Sequence, residues 1–220
     1  MFSKQDVERV TNAIENAVPG DHFELEFRLG TIDHRSSFRP EINKVVFDAI
    51  VRGLRTNPKW TDVVETHTAD HATRDGLRYT RDLRAPPDAQ PTCMKKTRIF
   101  NENLKNPDPN AVFDVRVSGS TERPVAIGAT NEQPVSIREK KRVSFAHKFW
   151  RYDATEVTTH YDAHRDKDED RRTTYELELE LVDPSQIVGK PRDYVEYIVN
   201  YGLLLCGDMM RMISIYTARP

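Results

Sequence analysis

The segment Glu176-Leu177-Glu178-Leu179-Glu180-Leu181 alternates carboxylates with leucines over six residues. In a β-strand successive side chains point to opposite faces, so the three glutamates share one face, roughly 7 Å between neighbours. Like charges in such a row repel unless something positive lies between them. Glu24-Leu25-Glu26-Phe27-Arg28 repeats the alternation near the start of the chain. Two acidic rows suggest a divalent metal, and basic strands between them suggest an anion that the metal helps to hold.

A chain of 220 residues is long enough for one domain with a sizeable core. Charged residues make up 31% of it, yet the formal net charge is only −2. Bulk electrostatic binding of nucleic acid would call for a more basic chain, so any phosphate binding must come from local segregation of charge. Two distant cysteines, Cys93 and Cys206, make no disulfide framework and are expected to pack rather than react. The first residues lack the apolar core of a signal peptide and no run spans a membrane, so a soluble, intracellular protein is expected.

Helical spacing over Val7, Val10, Ile14 and Ala17, with Ser3 as a cap and Pro19-Gly20 as a stop, predicts a first helix. A second follows Arg39-Pro40, with Ile42, Val45, Val46, Ala49, Ile50 and Leu54 on one stripe. A third begins at Pro191, with Tyr194, Val195, Ile198 and Val199 as its buried face. Between them the period changes to two, and strands are expected near 23–29, 61–69, 76–82, 92–100, 112–118, 135–145, 148–159 and 173–182. The stretch 119–134 reads as a connection, and the charged run 163–172 as a solvated, mobile loop. Many strands and few helices favour an α+β fold, with an antiparallel sheet closed into a barrel or folded into a sandwich and helices outside.

The residues on the polar faces separate these strands from ordinary amphipathic ones. Arg138, Lys140, Arg142 and Ser144 share one face, as do Arg151, Asp153 and Thr155; Asp114, Arg116 and Ser118 share another. A solvated face usually mixes signs, whereas here one strand is basic and another acidic. Converging inside a barrel, such faces would offer hard oxygen ligands suited to Mg²⁺ or Mn²⁺, and Arg and Lys suited to a polyanion.

The order of these motifs resembles the metal-dependent RNA 5′-triphosphatases of fungal, protozoan and large-DNA-virus capping systems, the yeast-type branch of the triphosphate tunnel metalloenzymes. That family carries Glu-x-Glu near the start and Glu-x-Glu-x-Glu near the end, matched here by Glu24/Glu26 and Glu176/Glu178/Glu180. Its basic strand Arg-x-Lys-Asp-Arg-Val-Ser is matched by Arg138–Ser144, with Lys141 in place of the aspartate. Its Arg-x-Asp-x-Thr strand is matched by Arg151–Thr155. Arg78, a lysine of Lys95-Lys96, Arg116 and Glu122 fall at similar places; which lysine faces inward stays open, Lys95 being preferred.

The resemblance implies a closed antiparallel barrel of about eight strands enclosing a triphosphate tunnel, with residues 1–220 forming one domain, alone or at the front of a longer capping enzyme. It implies that Glu24, Glu26 and Glu180, with Glu176 beside them, hold Mn²⁺ or Mg²⁺. Glu176 and Glu178 would also orient water or basic neighbours. Arg78, Lys95, Arg116, Arg138, Lys140, Arg142 and Arg151 would hold phosphate oxygens, with Asp153 fixing an arginine. Glu122 or Glu178 would position the attacking water, with Lys140 and Arg142 acting on the same phosphate. The substrate implied is 5′-triphosphate RNA, with nucleoside triphosphates also accepted, and a guanylyltransferase is the implied partner, fused or separate. The implied location is the nucleus, or a viral factory or virion for a viral protein. Rival readings are a hydrolase of tripolyphosphate or of a nucleoside or thiamine triphosphate on the same fold, a non-catalytic RNA-binding β-module, and a purely structural barrel.

Overall fold

In a computed structural model, the structure describes residues 2–17, 19–126, 134–160 and 171–217, the side chains of 214–217 excepted. Among these residues nine strands and three helices follow in the order α1 (Lys4–Ala17), β1 (Phe23–Ile32), β2 (Phe38–Arg39), α2 (Lys44–Arg55), β3 (Asp62–Ala72), β4 (Leu77–Asp82), β5 (Thr92–Leu104), β6 (Asp114–Pro124), β7 (Ser136–His147), β8 (Trp150–His160), β9 (Arg171–Leu181) and α3 (Arg192–Thr217). Strand order is β1-β6-β5-β4-β3-β7-β8-β9, and β9 pairs back onto β1, which closes an eight-stranded barrel. Every pairing is antiparallel. The two-residue β2 extends the far end of β1, with Thr31 opposite Arg39.

Closure comes from the alternation in β1 and β9. Leu25 and Phe27 lie opposite Leu181 and Leu179, while Glu26 and Arg28 lie opposite Glu180 and Glu178. The apolar row therefore forms one continuous outer face and the charged row one inner face. Outside, Leu25, Phe27, Leu29, Val117, Trp150, Leu177 and Leu179 meet Val10 and Ile14 of α1, Ile50 and Leu54 of α2, and Ile198, Val199 and Met209 of α3. The hydrophobic core is thus between barrel and helices, and the barrel's interior is left to polar side chains. Phe27 meets Trp150 edge-on at 5.5 Å between ring centroids, at the centre of that core.

A β-bulge between Arg98 and Phe100 shifts the pairing of β5 with β6. The extra residue, Ile99, reverses the alternation, so Lys96 and Arg98 point inward and so do Asn101 and Asn103, while Phe100 turns outward. Phe100 lies directly on Gly119, where an added Cβ would sit 2.2 Å from the ring.

The expected strands are all present, several of them longer than anticipated. β6 runs on to Pro124, into the stretch read as a connection; residues 127–133 of that stretch lie outside the described residues. Of the charged run 163–172, residues 163–170 also lie outside them, and Arg171 and Arg172 begin β9. Two helix positions differ from the expected stripes. Val45 is 67% exposed because the helix starts at its Asn43 cap and its first turn faces solvent. Tyr194 stands with Tyr197 on the exposed side of α3. Cys93 and Cys206 are buried and free.

Truncating Phe27 to Ala removes a fully buried ring and is expected to cost about 3–5 kcal/mol in urea unfolding, whereas Val45→Ser should stay within about 0.5 kcal/mol.

Candidate active site

An eight-stranded barrel is just wide enough for side chains to fill. Here they leave a cavity of about 520 Å³ whose wall carries seven carboxylates and eight cationic groups. Glu24, Glu26 and Arg28 come from β1; Arg78 from β4; Lys96 and Arg98 from β5; Glu122 from β6. Arg138, Lys140 and Arg142 come from β7, Arg151 from β8, and Glu176, Glu178 and Glu180 from β9. Asp70, with Thr66 and Thr68 from β3 and Thr80 from β4, completes the lining.

The charges are interleaved. Lys96 Nζ lies 2.5 Å from Glu24, 3.7 Å from Glu26 and 3.3 Å from Glu122. Arg28 bridges Glu26, at 2.6 Å, and Glu178. Arg78 donates from one nitrogen to both oxygens of Glu122 at 3.1 Å. Arg138 meets Glu176 at 2.7 Å, and Lys140 meets Asp70 at 2.5 Å. Asp153, 1% exposed, lies on the inner face beneath the lining side chains and accepts from Arg142, Ser144 and Arg151. Arg151 also reaches Glu180. Buried ions need such pairing, because desolvation otherwise exceeds the Coulombic gain.

The pairing does not satisfy the acidic groups equally. Burial would raise the Glu178 carboxyl, but Arg28, Arg142, Lys140 and Lys96 hold it down to about 2. Glu26 goes the other way: burial and then Glu178 push it up to about 7, against Arg28 and Lys96, and Glu24 adds to the rise. Glu180 is pushed up to about 8 by burial, with Glu24 and Asp153 adding to it and Arg151 opposing. Glu26 and Glu180 are therefore buried carboxyls short of positive charge, and the Glu24 carboxylate beside them raises both. Among the described residues no three carboxylates already converge on one point; each leans on Lys96, Arg28 or Arg151 instead. The donor set, three carboxylates and no thiolate or imidazole, fits a hard divalent cation.

On the opposite wall, burial pulls the Lys140 ammonium below its usual range, Asp70 opposes this, and Arg138 and Arg142 reinforce it. Asp70 itself stays below the usual carboxylate range despite burial, held by Lys140 and by Thr80, which donates at 2.7 Å. The Nε groups of Arg28 and Arg78 are buried without a hydrogen-bond partner. Unpaired donors of this kind, in a pocket rich in Arg and Lys, suit the oxygens of a bound anion.

Of the side chains expected from the sequence, Glu24, Glu26, Arg78, Glu122, Arg138, Lys140, Arg142, Arg151, Glu176, Glu178 and Glu180 line the cavity, and Asp153 backs it. One expectation is corrected, and one residue lies apart from the rest. Lys95 is exposed on the outer face, because Leu77 opposite it points outward; Lys96 is the inward lysine. Arg116 has inward parity but lies beyond the cavity lining, where Nε donates to Asn103 Oδ1 at 2.8 Å and the guanidinium lies 4.5 Å over Phe38. Arg98, Asp70 and the three threonines are additions. Asp70 is one residue past the strand end read from the sequence, and only its register opposite Arg138 marks it as inward.

Comparison with known proteins agrees with this fold. The mRNA-capping enzyme subunit beta of Schizosaccharomyces pombe is 36% identical over 124 residues, 55% of this chain and 39% of the relative. The subunit of the same name from Kluyveromyces lactis is 28% identical over 177 residues, 70% of this chain and 31% of the relative. The chain thus spans well under half the length of these curated relatives. Its fold is that of the S. pombe RNA triphosphatase Pct1, with a TM-score of 0.75 at 21% identity, covering 96% of this chain and 94% of that one. The Mimivirus capping enzyme triphosphatase superposes with a TM-score of 0.62 at 16% identity, covering 96% and 99%. A family model described as mRNA capping enzyme, beta chain, matches residues 59–193, from just before β3 to the start of α3. The chain belongs to the mRNA capping enzyme beta-chain family.

Proposed function

We propose that this protein removes the γ-phosphate from 5′-triphosphate RNA, leaving a 5′-diphosphate end, with the help of Mn²⁺ or Mg²⁺. The observation that carries the reading is the cavity within the closed barrel, whose β1 and β9 carboxylates face a basic wall from β4, β5 and β7. A solvated surface or an RNA-binding sheet has no use for buried glutamate rows, which repel phosphate. Family membership points the same way.

Glu24, Glu26 and Glu180 are the residues to hold the cation, with Glu176 on the same strand face. Such a cation, when bound, polarises a phosphoryl oxygen and neutralises charge developing on it. Arg78, Lys96, Arg138, Lys140 and Arg142 hold the remaining phosphate oxygens, and Asp153 keeps Arg142 and Arg151 aimed into the cavity. Phosphoryl transfer needs alignment and charge stabilisation more than covalent chemistry, and fixed donors in a closed wall supply both without reorganisation. Glu178 is held ionised by its cationic neighbours, whereas Glu122 is tied to Arg78 and Lys96. Both can orient a water for in-line attack; Glu178 retains a carboxylate able to accept its hydrogen bond across the working pH range. A complete cap would need a guanylyltransferase, as a further domain or a separate partner, acting where nascent transcripts are made.

Phosphate release from triphosphate-ended RNA should require added Mn²⁺ or Mg²⁺ and stop in excess chelator. Glu24→Ala, Glu26→Ala and Glu180→Ala should each abolish it with circular dichroism unchanged. Lys96→Ala should lower kcat by about 100-fold or more, while Lys95→Ala should remain within about twofold. The reverse order would place the wrong lysine in the cavity.

The stabilising effect of the metal should also depend on pH. Glu26 and Glu180 bind protons more tightly folded than at the ordinary value of 4.5, so the stability they contribute is full below that value and is lost as pH rises through about 7 to 8. The melting temperature of metal-free protein should fall across that window, and the increment given by Mn²⁺ should grow over the same range. An increment independent of pH would contradict the assignment of these carboxylates.

A further inference from the structure

One mouth of the barrel has a charge pattern different from the rest of the wall. Past Lys96, the inward row of β5 continues through Arg98, Asn101 and Asn103, opposite Ser120, Ser118 and Arg116 of β6. Between Glu122 and the start of β6 these rows carry no carboxylate. Glu102 is on the outward parity and pairs with Arg9 at 3.0 Å. Asp114, the first residue of β6, spends its oxygens on the backbone N–H groups of Ile32 and Asn106.

Arg98 lines the cavity and, among the described residues, is the one cationic group there with no carboxylate in ion-pair range. Arg116, also without a carboxylate partner, is the cross-strand neighbour of Arg28. Burial lowers its pKa first, and the nearby charges of Arg98 and Arg28 lower it further, with Glu26 opposing. Its guanidinium is held in place by Asn103 and by the Phe38 ring. That ring fits because residue 30 is glycine: a Cβ there would sit 2.5 Å from Phe38 Cζ. The mouth therefore gathers Arg116, held by Asn103 and Phe38, and the exposed Arg98, neither in an ion pair, whereas the other cations lining the cavity are all paired. Like charges brought near one another without an ion-pair partner suit an anion supplied from outside.

Along β1 the order Glu24, Glu26, Arg28, Gly30 leads from the acidic end to this mouth. A triphosphate held by the inner wall with its terminal phosphate toward Glu24 and Glu26 directs the rest of its molecule past Arg28 and Arg116. In RNA that remainder is a phosphodiester backbone, which inorganic tripolyphosphate lacks. We infer that Arg98 and Arg116 bind the RNA backbone phosphates behind the 5′-triphosphate, so that the 5′ end is threaded through the β5/β6 mouth and RNA is preferred over free triphosphates. This inference rests on the triphosphatase reading for its substrate, and its test is independent of turnover.

The test is binding of a fluorescent 5′-triphosphate octanucleotide, and its competition by tripolyphosphate, over a range of salt concentrations. Arg98→Ala combined with Arg116→Ala should weaken RNA binding about tenfold or more and flatten the log–log salt dependence by about 0.7 for each lost contact. The loss for tripolyphosphate should be several-fold smaller, and Arg98→Lys should retain most of the RNA affinity. Arg98→Ala alone, which removes no ion pair of the fold, serves if the double variant does not fold. Equal losses on both ligands, or no loss on RNA, would overturn the inference. Phosphate release by the unaltered protein decides the triphosphatase reading separately.

Discussion

Charge compensation inside a closed wall is the constraint on which everything else depends. Seven carboxylates and eight cations share a cavity of about 520 Å³ inside the barrel. Few of these groups would be tolerable alone; most are made so by a neighbour of opposite sign on an adjoining strand, as with Arg28 between Glu26 and Glu178. On the proposed reading the pairing would also prepare the chemistry. The ion pairs of the wall are those that a cation and a phosphate chain would replace, with positive charge taking the place of Lys96 and Arg151 and negative charge that of the glutamates. Binding energy and structural integrity would then be drawn from the same contacts.

That arrangement explains why the hydrophobic core is displaced. A barrel of this size would ordinarily fill with apolar side chains, but here β1, β6, β8 and β9 turn their apolar rows outward, and three helices must cover them. The helices are part of the barrel's stability rather than an accessory layer. Trp150, Phe27 and Leu179 outside and Asp153, Arg28 and Glu178 inside belong to the same strands, so the two halves of the pattern cannot vary independently.

Much of this is legible in the residues, because every strand is patterned on both faces. Alternation shows which side chains of β1, β7, β8 and β9 share a face, and the segregation of signs among strands indicates a common interior. Alternation cannot show where it breaks. The bulge at Ile99 reverses parity within β5, and the run Met94-Lys95-Lys96-Thr97 has no apolar alternation to mark which lysine turns inward. Arg116 has the right parity, but its strand extends beyond the cavity, and that depends on shear between strands rather than on local sequence. Asp70 and Arg98 become visible only through their surroundings in space, respectively Lys140 and the uncompensated mouth. Val45 and Tyr194 fail for a simpler reason: helical periodicity gives a stripe but not which end of it is covered.

The most direct measurement is anomalous diffraction from crystals soaked in Mn²⁺ with tripolyphosphate. The account predicts a manganese peak inside the barrel, contacting Glu24, Glu26 and Glu180, and phosphate density against Arg78, Lys96, Lys140 and Arg142. A barrel interior free of manganese, with metal and phosphate bound only on the outer surface, would contradict it.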